Sequence, residues 1–276
     1  MMDKRQYPKD QWYDAYGEYD AYPLWENGAP GQEPALGQPE PSLEFFPAEN
    51  GAGKGCVLVM AGGGYMGKTN YEGPVVAQRL NEGGINAAVL DYRVIPYDKE
   101  IIMGDAQRAV RYLRCHAAEF GINAADIAAL GFSAGGNLAL MTGFCGDDGD
   151  AQSSDPVERC SSRINAVISC YSAINFVEEY EEDEGYYYDY KLEPGTVYPP
   201  TFIWHSFRDR LVHFGSSLTL ANRLQEIGTP VELHMFPYGE HGQGLANYQA
   251  GDEKRGNELT QVWSELCIRW LHFYGY

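Results

Sequence analysis

The sequence predicts an α/β fold with a mostly parallel central sheet and helices on both faces. Three observations support this prediction: the chain length, the alternation of short apolar runs with helical patterns, and the near-continuous apolar character of those runs. A chain of 276 residues with 44% apolar residues can bury roughly three quarters of its unfolded surface without disulfides or metal. Strands that lack polar alternation are typical of parallel sheets, which helices cover on both sides.

Seven short runs have the length and residue types of buried strands. In chain order they are Ser42–Phe46, Cys56–Ala61, Asn86–Asp91, Asp126–Gly131, Ile164–Tyr171, Thr201–His205 and Val231–Phe236. Five helical patterns lie between or after these runs. They are Tyr71–Asn81, Asp98–Phe120, Ala134–Phe144, Gly215–Ile227 and Asn257–Phe273. The chain shows no internal repeat, so the alternation predicts one sheet rather than an array of units.

Two stretches depart from the alternation. Residues 1–41 are rich in Tyr, Pro, Gly and acidic residues, and we predict an N-terminal arm there, followed by one domain over residues 42–276. Residues 174–200 hold seven acids between Glu178 and Asp189, together with a cluster of tyrosines. That segment is either a solvated excursion or a lid or substrate loop, and the sequence leaves both open.

Charge and cysteine content limit the class of protein. Lys and Arg number 20 against 39 Asp and Glu, so the net charge is −19, which disfavours nucleic acid and anionic membrane as partners. The six cysteines form no CxxC pair and have no His at ligand spacing, so we expect reduced core thiols and no metal. The first residues lack an apolar h-region and no window approaches 18 apolar residues, so we expect a cytoplasmic protein without a membrane span.

Residues Gly131–Gly135 match the pattern G-x-S-x-G, with Ser133 at its centre. The motif lies between a predicted strand and a predicted helix, which is the setting that a nucleophile elbow requires. A sharp turn there lifts the serine hydroxyl off the sheet, and the helix N-terminus stabilises developing negative charge. We therefore predict that Ser133 is a nucleophile, with an ordinary glycine turn as the alternative.

A second glycine cluster, Gly62–Gly64, follows a predicted strand. Backbone N–H groups of glycine can approach a developing oxyanion closely, so we predict that Gly63, Gly64 and Ala134, the residue after the nucleophile, form an oxyanion hole. No Gly-Lys-Ser/Thr follows at P-loop spacing. Asp91 lies at the end of the next strand, which leaves a dinucleotide loop as a weaker alternative.

A serine nucleophile needs a general base and a carboxylate that orients the base. His241 lies in a glycine-containing loop after the last predicted strand, whereas the other five histidines fall within predicted strands or helices or just before a helix start. Asp209 follows the strand Thr201–His205 and is the predicted acid; the alternative is an ion-pair partner for neighbouring arginines. The order Ser133, Asp209, His241 is that of α/β hydrolases and differs from the trypsin and subtilisin orders.

With these motifs the chain resembles the α/β-hydrolase esterases related to acetyl xylan esterases and to the hormone-sensitive-lipase group. The resemblance spans about residues 22 to 274 and implies the same triad and the same oxyanion donors. We also expect no cofactor and a catalytic domain over residues 42–276. The matching pieces are Leu24–Pro30, Gly62–Tyr65, Leu90–Val94, Asp105–Arg114, Gly131–Gly136 and Phe236–Gly242.

The resemblance also implies cleavage of short acyl groups, often acetyl from a sugar or xylan chain. The sequence departs from the family pattern in three places. Ala61 stands where many relatives have His, residues Arg210–His213 lack a Pro often found there, and the acidic stretch 178–190 is not part of the pattern. These departures bear on loop geometry and substrate choice, whereas the predicted triad is intact.

We therefore expect a serine esterase that hydrolyses short-chain, chiefly acetyl, esters and deacetylates carbohydrates such as xylan or oligosaccharides. Tyr65, Tyr186 and Tyr187 are the candidates for lining the substrate site. Three alternatives stay open: a serine peptidase of the prolyl-oligopeptidase type, a general short-chain carboxylesterase or lipase, and a catalytically silent binding protein. One sequence leaves open whether copies of the chain associate as a homo-oligomer.

Overall fold

The computed structural model describes residues 21–174, 192–247 and 256–276 of the chain. Its strands in these ranges are β1 (Ala21–Pro23), β2 (Ser42–Phe46), β3 (Cys56–Met60), β4 (Asn86–Asp91), β5 (Ile127–Phe132), β6 (Ala166–Cys170), β7 (Thr201–Ser206) and β8 (Val231–Phe236). They form one sheet in the order β1-β2-β4-β3-β5-β6-β7-β8. The strands β4, β3, β5, β6, β7 and β8 run parallel to one another, whereas β1 and β2 pair antiparallel. The prediction of an α/β fold with a mostly parallel sheet is confirmed.

Helices cover both faces of this sheet. Those in the described ranges are α1 (Pro74–Glu82), α2 (Lys99–Cys115), α3 (Ala117–Phe120), α4 (Ser133–Phe144), α5 (Gly215–Glu226) and α6 (Trp263–Phe273). One apolar cluster packs α2, α4 and α5 on the sheet, and a second cluster packs α1 and α6. The alternation along β3 shows the division, because Leu58 and Met60 join the first cluster while Val57 and Val59 join the second.

The first strand of the described residues was missed by the sequence patterns. β1 pairs with β2 from Ala21 opposite Glu44 to Pro23 opposite Ser42. A strand of three residues at a sheet edge is too short to show a period and can contain proline. The next residue, Leu24, is completely buried, so this part of the predicted arm packs on the sheet. The domain boundary at residue 41 stays a prediction.

Helix ends differ from the predicted ones where the backbone chemistry intervenes. The pattern over Asp98–Phe120 is two helices, α2 and the short α3, and Gly121 closes the second in the left-handed region with φ of +65°. The helix predicted over Tyr71–Asn81 begins at Pro74. Proline suits a first helical position because its φ is already fixed and it has no N–H to leave unpaired.

The longest helix in the described ranges, α2, has 17 residues, and no helix there combines the length with the apolar composition needed to cross a bilayer. The cytoplasmic location stays a prediction. As predicted, all six cysteines are free thiols, although only Cys56, Cys170 and Cys267 are buried. Burial raises the pKa of these three thiols well above the usual range, which keeps them protonated.

The sheet order creates a crevice at the carboxyl ends of β3 and β5. The chain leaves β3 toward β4 on one side and leaves β5 toward β6 on the other. Open α/β sheets bind ligands at such a switch point. The loops after β7 and β8 open at the same edge, because parallel strands share the direction of their carboxyl ends. The topology therefore brings four loops of distant sequence position to one edge of the sheet.

Candidate active site

Ser133 lies at the junction of β5 and α4, with its backbone in the left-handed region at φ of +52°. A non-glycine residue in this region carries strain of about 1–3 kcal/mol. The strand and the helix approach closely here. A Cβ atom at Gly131 would lie 2.0 Å from the carbonyl oxygen of Gly135, and one at Gly135 would lie 2.2 Å from that of Met60. Only glycine fits at these two positions, so the G-x-S-x-G spacing follows from the geometry of the turn.

The glycine loop, residues 61–64, follows β3 and lies against Ser133. A Cβ atom at Gly62 would be 3.0 Å from the Cβ of Ser133. Gly63 has φ of +141° and Gly64 has φ of +63°, conformations that L side chains rarely adopt. Ala134 is the second residue of α4, where a helix N–H has no acceptor within the helix. The three predicted oxyanion donors thus belong to the two segments that meet at the crevice.

The structure brings Ser133, His241 and Asp209 into one hydrogen-bonded line. His241 Nε2 lies 2.8 Å from Ser133 Oγ, across 108 positions of sequence, and His241 Nδ1 lies 2.6 Å from Asp209 Oδ2. A carboxylate only accepts, so Nδ1 carries the imidazole proton and Nε2 is free to accept from the serine hydroxyl. This is the tautomer that a serine nucleophile requires of its base.

Asp209 has a nearly inaccessible side chain whose oxygens accept several hydrogen bonds. Oδ1 accepts from the N–H groups of Leu211 and Val212, each at 2.9 Å, and Oδ2 accepts from His241 and His205. Burial alone would raise the pKa of this carboxyl. The hydrogen bonds from the two histidines and the positive charge that His241 can carry outweigh burial and hold the pKa of Asp209 well below its usual range. The carboxylate is therefore ionised at neutral pH.

His205 is a neighbour of Asp209 that sequence reasoning assigned only to a strand. It is fully buried on β7, and its Nε2 lies 3.0 Å from the carbonyl oxygen of Val212 and 3.2 Å from Asp209 Oδ2. Because a carbonyl oxygen only accepts, Nε2 carries the proton and donates to both oxygens. Nδ1 is 2.8 Å from the hydroxyl of Ser217, which donates to it. Its spacing of four residues from Asp209 was the one signal in the sequence that could have indicated this contact.

Of the predicted substrate-lining residues, the structure describes Tyr65. Tyr65 is 2% exposed, packs in the core and donates its hydroxyl to Asn137 Oδ1 at 2.8 Å. The assignment of Tyr65 to the substrate surface is therefore corrected, because its side chain is buried in the core cluster. Tyr186 and Tyr187 lie outside the described residues, as does most of the predicted lid over residues 174–200.

The site offers acid–base and nucleophilic groups. An activated hydroxyl, a base with a free nitrogen, an ionised carboxylate and glycine-rich backbone N–H groups are the parts that acyl transfer needs. Within the described ranges, no three His, Cys, Asp or Glu side chains converge as metal ligands would. Together, the hydroxyl, the base, the carboxylate and the backbone N–H groups can form and break an acyl–oxygen bond.

Two family models match the chain. The BD-FAE model matches residues 44–193, which is more than half of the chain, and the Prolyl oligopeptidase family model matches residues 167–259. The chain belongs to the BD-FAE family of α/β-hydrolase esterases. The resemblance drawn from the sequence and the prediction of a carboxylic ester hydrolase are confirmed at the level of the family.

The names of three similar proteins refer to acetyl esters, xylosides or xylan. An acetyl ester-xyloside bifunctional hydrolase from Caldicellulosiruptor lactoaceticus has a solved structure with 34% identity and a TM-score of 0.81, covering 95% of this chain and 98% of that one. An acetylxylan esterase from Xylanibacter ruminicola is 30% identical over 213 residues, 74% of this chain and 44% of the relative. An endo-1,4-β-xylanase B from Butyrivibrio fibrisolvens is 27% identical over 255 residues, 86% of this chain and 40% of the relative. The chain spans about two fifths of the length of these two curated relatives.

Proposed function

We propose that this protein is a serine esterase that removes short acyl groups, chiefly acetyl, from carbohydrates. Ser133 is the nucleophile, His241 the general base and Asp209 the acid that orients it. One observation carries the proposal: the hydrogen bonds that run from Ser133 Oγ through His241 to Asp209 Oδ2 at 2.8 and 2.6 Å. The left-handed backbone at Ser133, which an elbow requires, supports it.

Acylation begins when Ser133 Oγ attacks the ester carbonyl carbon and His241 Nε2 takes the hydroxyl proton. Asp209 stabilises the imidazolium through Nδ1–H without taking the proton itself. Collapse of the tetrahedral intermediate breaks the bond to the alcohol oxygen, and the imidazolium returns the proton to that oxygen. The alcohol leaves and the acyl group stays on Ser133.

Deacylation repeats the same steps with water. His241 accepts a proton from the water as its oxygen attacks the acyl carbonyl, and then returns that proton to Ser133 as the carboxylic acid leaves. The N–H groups of Gly63, Gly64 and Ala134 stabilise the oxyanion in both halves of the reaction. Loss of one such donor typically costs on the order of 10²–10³ in kcat.

The names of the similar proteins support a carbohydrate ester as the substrate. The bifunctional relative is named for acetyl ester and xyloside hydrolysis, and a curated relative is named an acetylxylan esterase. The loops that carry the triad also expose apolar side chains suited to a sugar face, namely Phe207 and Leu211 beside Asp209 and Tyr238 before His241. Aromatic rings with one exposed face are suitable surfaces for such contacts.

A serine peptidase is the second candidate, because the Prolyl oligopeptidase family model matches residues 167–259. That range includes Asp209 and His241, the proposed acid and base, which both candidate functions would use. The two candidates differ in leaving group, since a peptidase must expel an amine and an esterase an alcohol. An aminoacyl p-nitroanilide therefore discriminates between them, and we expect no cleavage.

The esterase proposal is tested with p-nitrophenyl esters and acetylated polysaccharide. We expect kcat/KM to be higher on the acetate than on the octanoate ester, and acetate to be released from acetylated xylan. Ser133→Ala should lower kcat/KM by roughly 10⁴-fold or more, because it removes the atom that forms the acyl-enzyme.

Two results would contradict the proposal. Equal or faster hydrolysis of the octanoate would refute the preference for short acyl groups, and Ser133→Ala activity near that of the parent would refute the nucleophile. Ser161→Ala is a matched control, since Ser161 lies on an exposed loop where its hydroxyl donates to the carbonyl oxygen of Asp147. That variant should keep its activity.

A further inference from the structure

Glu72 is a buried carboxylate just behind the glycine loop. It is 2% exposed and ends the single helical turn that precedes α1. Its Oε2 accepts from the Gly62 N–H at 2.9 Å and from the Thr69 hydroxyl at 2.6 Å, and its Oε1 accepts from the Tyr171 hydroxyl at 2.5 Å. Three donors thus converge on the two oxygens of Glu72.

Tyr171 links this carboxylate to the loop that carries the histidine, residues 237–244, called here the histidine loop. The Tyr171 ring meets the His241 ring edge to face, with centroids 5.1 Å apart and planes at 71°. Its hydroxyl donates to Glu72 and accepts from the Gly244 N–H at 2.8 Å. Burial and then the charge of Glu72 raise the pKa of Tyr171, so the hydroxyl keeps the proton that it donates.

We propose that Glu72 is a positioning residue that holds the glycine loop and the histidine loop in one catalytic geometry. The inference rests on the proposed function. Gly62 lies between the carboxylate and the nucleophile, because a Cβ there would be 2.7 Å from Glu72 Oε2 and 3.0 Å from Ser133 Cβ. The hydrogen bond that the Gly62 N–H donates to Glu72 orients the peptide group between Ala61 and Gly62. The next peptide group carries the N–H of Gly63, the first predicted oxyanion donor.

The conformational freedom of glycine explains why the glycine loop needs a fixed hydrogen-bond acceptor. Gly62, Gly63 and Gly64 have wide conformational freedom, so the direction of their N–H groups is set by what the loop contacts. A donor contributes to catalysis only if it is already aimed at the oxyanion when charge develops. Glu72 supplies a fixed acceptor on one side of the loop, and through Tyr171 the same group aligns the base.

The histidine loop is also held by a hydrogen bond that does not involve Tyr171. A role of Glu72 in positioning the catalytic groups can therefore be distinguished from a role in folding. Trp263 Nε1 on α6 donates to the carbonyl oxygen of Gly244 at 3.0 Å. The loop therefore stays attached to the domain when the Tyr171 contact is lost. We expect a change at Glu72 to loosen the orientation of the catalytic groups and to leave the fold intact.

Glu72→Gln tests the inference, because glutamine keeps the shape but places an N–H₂ group where an oxygen accepts. We expect kcat on p-nitrophenyl acetate to fall about 10- to 10²-fold while KM changes less than about twofold. The affinity for an alkyl boronic acid, which forms a tetrahedral adduct with the serine, should fall by a similar factor. If Glu72 had a structural role alone, the affinity for the boronic acid would not fall in parallel with kcat.

Tyr171→Phe is the second variant, because it keeps the ring on His241 and removes only the hydroxyl. We expect a fall in kcat, and we expect the double variant to be no slower than Glu72→Gln alone, since both remove the same link. Asn86→Ala is the matched control. Asn86 is buried at the amino ends of the strands, accepts from Ala48 N–H and donates to Gly51, so its loss should lower Tm and leave kcat unchanged.

A folded Glu72→Gln variant with kcat within twofold of the parent overturns the inference. A fall in kcat without weaker boronate binding also overturns it. If Glu72→Gln does not fold, Tyr171→Phe tests the inference instead, and an unchanged kcat in that variant also overturns it. Activity that survives Ser133→Ala overturns the proposed function and this inference with it, whereas an unaffected Glu72→Gln in an enzyme that Ser133→Ala inactivates overturns this inference alone.

Discussion

Asp209 shows at the scale of one residue how surroundings determine chemistry. Its position after β7 was enough to predict it as the acid partner of His241. Its charge state depends on groups that come together only in the fold, since both His205 and His241 donate to Oδ2. His205 thereby restrains the same oxygen that His241 contacts, and its hydrogen bonds to Asp209, Val212 and Ser217 explain how a histidine is accommodated within an apolar strand.

The depressed pKa of Asp209 predicts how its contribution to stability depends on pH. The ionised carboxylate stabilises the folded state above the unfolded pKa of about 3.9, and this contribution is lost as pH falls toward the lower folded pKa. Asp209→Asn should therefore be less stable than the parent by about 1–3 kcal/mol at pH 7. The gap between their Tm values should stay constant down to about pH 5 and shrink below pH 4.

Thermal unfolding between pH 7 and pH 3 measures this gap. Asp148→Asn is the control, because Asp148 is exposed and its ion pair with Arg163 lies at the surface. Its Tm should follow that of the parent throughout. A gap for Asp209→Asn that stays constant down to pH 3 would show that the carboxyl contributes no charge-dependent stability.

At the scale of elements, the contact between α4 and β3 sets the position of Ser133, the proposed nucleophile. Every residue of α4 from Ser133 to Thr142 is buried, so these ten residues sit in the core with no solvent-facing side. It can approach the sheet this closely only because Gly135 has no side chain. The helix N-terminus, and with it Ser133, is placed by backbone packing.

Gly135→Ala should destabilise the protein by about 1–3 kcal/mol or more, because the new Cβ would lie 2.2 Å from the carbonyl oxygen of Met60. Gly104→Ala is the matched control on α2. Gly104 has no atom within 4 Å of its would-be Cβ, so alanine there should stabilise the protein by about 0.5–1 kcal/mol through helix propensity. Urea unfolding compares the two, and equal effects would contradict this account of the elbow.

At the scale of the whole molecule, the described N-terminal segment packs as part of the sheet and core. Arg108 Nε donates to the carbonyl oxygen of Leu24 at 2.8 Å, and Arg93 Nη1 donates to that of Pro30 at 2.8 Å. The Trp25 ring lies over both guanidinium groups, 5.9 Å from Arg93 and 5.2 Å from Arg108. These contacts join residues 21–30 to α2 and to the turn after β4.

Leu24→Ala measures how strongly this segment stabilises the molecule. Leu24 is fully buried in the cluster under α2, so the substitution should cost about 2–5 kcal/mol of unfolding free energy. Leu259→Ala, at an exposed leucine, should change it by less than about 0.5 kcal/mol. A Leu24→Ala variant as stable as the parent would show that the segment packs on the domain without stabilising it.

The sequence by itself determined the fold class, the Ser133 elbow and the glycine loop, and it indicated Asp209 and His241 by their positions after strands. Each of these rests on a local pattern, an apolar period or a motif of adjacent residues, which the chain carries wherever it is in space. The seven strand predictions agree with the structure within two residues at each end. The sequence patterns did not predict the antiparallel pairing of β2 or the edge strand β1, because neither leaves a periodic signal of its own.

Only the tertiary structure decided the partners of the buried polar groups. Glu72 meets Tyr171 across 99 positions of sequence, His205 turns toward Asp209, and Tyr65 is buried in the core. The physical reason is common to all three. A buried polar atom must find a partner among whatever groups the packed elements place beside it, and strand order and helix packing choose those groups, which local sequence does not encode.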